Sequence, residues 1–197
     1  MNLPNKLSVI RILMVPLVVL VWVFPYESFG IVMPEYTFEF VTLSLKNIIV
    51  LVLFALASFT DFLDGYIARK YHLITSFGKF IDPIADKMLV NTMFVMFAAL
   101  NIVPVVPVVI MIWRDTIVDG LRMNAAEKGK VVAAGFLGKL KTVSQMLTII
   151  VILLNNLPFE LMRFPMSDFL LWFSTLISVA GGVSYFMQMK DIVMESM

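Results

Sequence analysis

The stretch TDFLDGYIARKYHLITSFGKFIDPIADK, Thr60 to Lys87, sets Asp61, Asp64, Asp82 and Asp86 into otherwise apolar sequence. At about 100° per residue, Asp61, Asp64, Gly65, Ala68 and Arg69 share one helix face, and Gly78, Asp82 and Asp86 share a face of the next helix. A connection of some ten residues makes the two helices neighbours, so the four carboxylates can converge. Carboxylates at close quarters cannot all stay ionised without positive charge between them. Hard divalent ions take oxygen ligands, and a pair of them forms the clamp used for displacement at phosphorus. The lack of cysteine and the single histidine, His72, argue against zinc or iron, and His72 itself reads as an interfacial loop residue. Small residues at Gly65, Ala68 and Gly78 leave backbone open to a phosphate or nucleotide. The alternative is a set of interhelical ion pairs in which Arg69, Lys79 and Lys87 balance the acids. Against it, the acids outnumber the bases on these faces.

The elements that must carry these groups are membrane helices. The chain has 197 residues, 60% hydrophobic and 15% charged, with mean hydropathy +0.94, far from an ordinary soluble domain. Six apolar stretches are long enough to span or nearly so: Leu7 to Phe24, Val41 to Ala68, Phe80 to Leu100, Val103 to Leu121, Thr142 to Leu154 with residues before it, and Phe169 to Met189. Lys and Arg concentrate on one side of these spans. They stand near the N-terminus, around Arg69 to Lys79, between Arg114 and Lys141, and at Lys190, while Glu27, Glu35, Glu39 and Glu160 fall on the other side. The positive-inside rule then places both termini in the cytoplasm. The expectation is an all-α, polytopic protein with six transmembrane helices. It forms a single membrane domain over 1–197, with residues 1–10 as an interfacial segment where Lys6 and Arg11 can meet lipid phosphates. The first apolar run lacks a small-residue cleavage site and is kept as a span. Pro83 suits the first turn of the third helix, with Asp82 as a possible cap.

As a pattern the stretch is D-x2-D-G-x2-A-R-x8-G-x3-D-x3-D, with every fixed position filled. It resembles the signature of the CDP-alcohol phosphotransferase family, and in span number and order the resemblance covers nearly the whole chain. The resemblance implies homodimeric enzymes that hold two Mg²⁺ or Mn²⁺ ions and move a phosphatidyl group from a CDP-linked lipid to an alcohol, releasing CMP. Carried over, Asp61, Asp64 and Asp82 are metal ligands, and Asp86 completes the site and acts as the catalytic base. Gly65, Ala68, Arg69 and Gly78 border the nucleotide, and Asn5 and Ser8 of the N-terminal NLPNKLSVIR are polar contacts beside it. The segment from Trp113 to Thr142 resembles the branch of the family whose acceptor is glycerol 3-phosphate. An acceptor with its own phosphate needs fixed cations. Arg114, Lys139 and Lys141, with Arg122 a weaker candidate, are the acceptor-phosphate-binding residues expected, although each also satisfies the positive-inside rule.

The expected partners are therefore CDP-diacylglycerol, glycerol 3-phosphate, membrane lipids and a second copy of the chain, with no nucleic acid. The expected location is a bacterial cytoplasmic membrane, with the site facing the cytoplasm. Three other readings remain open at the level of sequence. A sister enzyme with another acceptor would make cardiolipin, phosphatidylserine or phosphatidylinositol phosphate. A membrane prenyltransferase usually has two separate aspartate-rich motifs, where this chain has one. A divalent-cation transporter would favour acids near the bilayer midplane, whereas these lie toward one membrane edge.

Overall fold

A computed structural model of the chain describes residues 2–73, 75–127 and 135–194. Its elements in order are α1 (Leu3–Val23), a short antiparallel hairpin of β1 (Glu35–Phe38) and β2 (Val41–Ser44), α2 (Leu45–Lys70), α3 (Ser76–Ala99), α4 (Val105–Glu127), α5 (Phe136–Leu153) and α6 (Met166–Met194). Lys128 and Lys130, counted in the charge pattern, lie outside the described residues, as does the side chain of Lys79.

Among the described residues four helices, α1, α2, α5 and α6, are long and apolar enough to cross a membrane. α3 and α4 are of comparable length but carry Asp82, Asp86 and Lys87, and Arg114, Asp115, Asp119 and Arg122, within their bodies. The all-α expectation needs one correction. Val41 to Ser44 do not begin the second span; they form β2, paired with β1 in the register Glu35 to Ser44 through Phe38 to Val41. Tyr36, Thr37 and Phe38 on β1 and Val41 and Thr42 on β2, aromatic or β-branched, suit an extended ribbon. Ser44 then caps α2, its side chain accepting from the Lys46 amide at 3.3 Å.

The chain divides into two compact units. The first comprises Met1–Met96 and Ile150–Phe164. In it α1 packs along α2, burying Val15, Val18 and Trp22 of one and Val50, Phe54 and Ala57 of the other. The outer faces remain apolar, with Leu13, Leu17 and Leu20 on α1 and Val52, Leu56 and Phe59 on α2 exposed, as expected where the solvent is lipid. α1 runs without a break from Leu3, so most of residues 1–10 form its first turns, although Pro16 lies inside it. Pro83 also lies inside a helix: α3 starts at Ser76, not at Pro83, so Asp82 is a mid-helix residue and not its cap.

The second unit comprises Phe97–Ile149 and Pro165–Met197. α4 packs on α6, and a cluster of Val118, Ala125, Tyr185 and Met189, with Leu121 against it, forms an apolar core there. Upstream on α6, Ser174, Ser178, Gly181 and Gly182 follow the spacing of one helix face, and both serines are fully buried. Small residues of this kind let helix backbones approach closely in a membrane, where apolar burial gives little drive for association.

Candidate active site

The site in the first unit is assembled by the N-termini of α1 and α3 and the C-terminal half of α2. Asn2 caps α1, its side chain accepting from the Asn5 amide at 3.1 Å, and its own amide group donates to the Leu73 carbonyl at 2.8 Å. Thr75 stands before α3, accepting from the Gly78 amide at 3.0 Å while its hydroxyl donates to Asn5 Oδ1 at 3.0 Å. The helix-start contacts of α1 and α3 are thus tied to one another and to the loop that leaves α2. That loop turns at His72, exposed and left-handed at φ 52°, with the Leu73 amide returning to the Ala68 carbonyl at 3.0 Å, the pairing of a Schellman-type end. Gly78 is needed by this geometry, because a Cβ there would lie 3.0 Å from Asn5 Oδ1 and 3.3 Å from Thr75 Oγ1.

Above this latch, α1 directs two polar groups at the aspartates. The Ser8 hydroxyl is fully buried, 2.6 Å from Asp82 Oδ1 and 3.3 Å from Asp64 Oδ2. Having one proton, it can serve only one of them at a time. Arg11, whose side chain is 1% exposed, spans the other pair, Nη1 donating to Asp61 Oδ1 and Nη2 to Asp64 Oδ2. Its Nε is buried without a partner. Asp64 is as deeply buried as Arg11, whereas Asp61 is 38% exposed at its side chain. Asp86 lies one helical turn beyond Asp82, half-buried on α3.

Three of the four aspartates therefore converge, with a guanidinium and a hydroxyl between them. Among the described residues no three His, Cys, Asp or Glu side chains are drawn together tightly enough to hold a metal ion by themselves. The donor set nevertheless fits a hard divalent cation. Its groups are carboxylate and hydroxyl oxygens, and the Asp61–Asp64 pair already accepts one cation, the Arg11 guanidinium.

Arg11 corrects the sequence reading in two ways. Its side chain is buried and so does not meet lipid phosphates, and it supplies a counter-charge to Asp61 and Asp64 that the sequence reading does not assign to it. The signal was present. Asn5, Ser8 and Arg11 continue the same buried stripe of α1 as Val15, Val18 and Trp22, and a polar run along a core stripe needs polar partners. Among the other residues expected at the nucleotide, Gly65 sits beneath the folded-back Arg69, whose guanidinium is 3.5 Å from where a Gly65 Cβ would be. Arg69 is exposed in the last turn of α2, and Ala68 is half-buried beside it.

The four basic residues expected at an acceptor phosphate lie in the second unit, and three of them are held by named partners. Lys141, on α5, is buried and paired with Asp115 of α4. Arg114 donates from Nε to the Ser178 carbonyl at 2.8 Å and from Nη1 to Asp115 Oδ1 at 3.1 Å. Arg122 donates from Nη2 to the Tyr185 hydroxyl at 2.6 Å, its guanidinium 4.8 Å from that ring. Lys139 is exposed in the first turns of α5. Asp115 was missed by sequence reasoning, although an acid inside a mostly basic segment is the signal that would have found it.

A strongly apolar chain with six long helices among the described residues, whose α2 and α3 bring Asp61, Asp64 and Asp82 together around Ser8 and Arg11, belongs to a recognisable class. Residues 1–180 match the CDP-alcohol phosphatidyltransferase family, and the chain belongs to that family. It is 38% identical over 185 residues to a CDP-diacylglycerol–glycerol-3-phosphate 3-phosphatidyltransferase of Bacillus subtilis (strain 168), covering 94% of this chain and 93% of that protein. It is 35% identical over 190 residues to the protein of the same name from Rickettsia typhi, covering 96% and 97%.

Proposed function

We propose that the protein transfers the phosphatidyl group of CDP-diacylglycerol to glycerol 3-phosphate, giving phosphatidylglycerol phosphate and CMP, the reaction of a phosphatidylglycerophosphate synthase. The near full-length likeness to relatives named for this reaction carries the reading, and the convergence of Asp61, Asp64 and Asp82 on two helices is the geometry it needs.

Asp61, Asp64, Asp82 and Asp86 would hold two Mg²⁺ or Mn²⁺ ions, which when bound neutralise the diphosphate and the charge that develops on the phosphoryl oxygens. The hydroxyl oxygen of glycerol 3-phosphate attacks the phosphorus that bears the lipid, the bond from that phosphorus to the CMP oxygen breaks, and Asp86 receives the hydroxyl proton. Gly65, Ala68, Arg69, Gly78, Asn5 and Ser8 border the nucleotide. Arg114, Lys139 and Lys141, with Arg122, hold the phosphate of the acceptor. Orientation of the two substrates supplies much of the rate.

The protein crosses a bacterial cytoplasmic membrane six times as a homodimer, with both termini and the site on the cytoplasmic side. The one-sided distribution of Lys and Arg supports that orientation. The decisive experiment is purified protein with CDP-diacylglycerol, Mg²⁺ or Mn²⁺ and glycerol 3-phosphate, with CMP release and product mass followed. Parallel reactions with serine, inositol phosphate or phosphatidylglycerol should release no comparable CMP; a faster reaction with any of them would make that alcohol the acceptor.

A further inference from the structure

Arg114 of α4 is held by contacts along its stem and guanidinium, with one guanidinium nitrogen left without an acceptor. Nε is bound to the Ser178 carbonyl and Nη1 to Asp115. The stem and guanidinium lie against Gly181 and Gly182 of α6, so closely that a Cβ on Gly181 would fall 2.9 Å from Nη2 and one on Gly182 would fall 2.9 Å from Cγ and 3.4 Å from Nε. Nη2 is buried and has no hydrogen-bond partner. A buried guanidinium N–H without an acceptor is costly, and an anion beside it would relieve that cost.

Asp115 adds a second constraint, since it pairs with both Arg114 and Lys141. One carboxylate shared by two cations fixes how far apart those cations stand. All of these contacts lie within the second unit.

We infer that Gly181 and Gly182, together with Asp115, are positioning residues that set Arg114 so that Nη2 meets the phosphate of the acceptor substrate. This rests on the acceptor reading proposed above. The two glycines act differently. Gly182 gives room to the stem, which cannot swing away without breaking the Ser178 bond, whereas Gly181 clears the space around the donor itself. None of the three touches substrate; each acts through Arg114, and Asp115 through Lys141 as well.

The test is a double-mutant cycle read in the KM for glycerol 3-phosphate, with the KM for CDP-diacylglycerol and the melting temperature as controls. Gly182→Ala and Arg114→Ala should each raise the acceptor KM by about tenfold or more, the scale of one charge-assisted contact, while the KM for the lipid stays near the parent value. In the Arg114→Ala background the added Gly182→Ala should then raise the acceptor KM by less than about twofold, because the residue it positions is gone. An equal, additive rise in both backgrounds would overturn the inference and leave Gly182 a packing residue. So would an unchanged KM in Gly182→Ala when Arg114→Ala raises it. If Arg114→Ala itself leaves the acceptor KM untouched, the acceptor reading fails first, and the inference with it. Asp115→Asn, which keeps the side-chain shape, gives an independent arm should the glycine variant fail to fold. It should raise the acceptor KM in the parent and less in Arg114→Ala, and a parent-like KM in Asp115→Asn would remove Asp115 from the proposal.

Discussion

Arg11 is the residue on which the charge balance of the carboxylate site turns. It is buried with its fork spread across Asp61 and Asp64, so its removal leaves two like charges facing each other with Asp64 shielded from water. Breaking a buried ion pair from one side costs about 3–5 kcal/mol. Arg11→Ala should therefore lower the melting temperature most in chelator, and added Mg²⁺ or Mn²⁺ should restore a larger share of it than in the parent. Equal metal effects in the two proteins would show that ion and guanidinium do not address the same carboxylates. Asp61→Asn should abolish turnover, because an amide oxygen is a poorer ligand for a hard cation; near-normal activity at ordinary Mg²⁺ would instead favour a purely structural ion-pair network. Asp86→Asn should keep CDP-diacylglycerol binding but lose at least about a hundredfold in kcat, the low end of what a positioned base contributes. Retained kcat would remove Asp86 as the base.

At the scale of elements, the site depends on how the starts of α1 and α3 are joined. Each is held by its own capping side chain, Asn2 or Thr75, and the two are connected through Asn5. Thr75→Val removes both the acceptor for the Gly78 amide and the donor to Asn5. A lost cap costs about 1 kcal/mol, and thermal unfolding in detergent should show a fall of that order. Gly78→Ala is expected to be worse for activity than for stability. Its methyl would push Asn5 away and shift Ser8 and Arg11, which follow on the same helix. Parent-like kcat in Gly78→Ala would mean that α1 can move without disturbing the aspartates.

For the whole molecule, the proposed orientation makes a prediction that the absence of native cysteine renders simple to check. Ser28→Cys, exposed between α1 and the hairpin, and His72→Cys, exposed between α2 and α3, should fall on opposite sides of the bilayer if α2 spans it. In intact cells a membrane-impermeant maleimide should label Cys at position 28 and spare position 72 until the membrane is opened. Labelling of both, or the reverse pattern, would overturn the cytoplasmic placement of the carboxylates.

Much of this was legible from residues alone. Helix number, the apolar faces and the sharing of one face by Asp61 and Asp64 follow from local periodicity, because spacing along a helix fixes which side chains share a face wherever the helix goes. The fixed pattern from Asp61 to Asp86 also led to the family to which the chain belongs. What periodicity could not supply was the partner of each face. That Ser8 reaches Asp82 across 74 positions, that Arg11 spans Asp61 and Asp64, and that Asp115 joins Arg114 to Lys141 are decided by helix packing. The hairpin at Glu35 to Ser44 was concealed because its β-branched and apolar residues run directly into those of α2, and Pro83 inside α3 was misplaced because a proline's local preference for a first turn yields to a helix held by its neighbours. A charged side chain in an apolar setting must find its counter-charge, and the sequence determined that need for Asp61 and Asp64. Only the tertiary structure decided which cation met it, since the answer depends on distances between helices that no spacing along one of them contains.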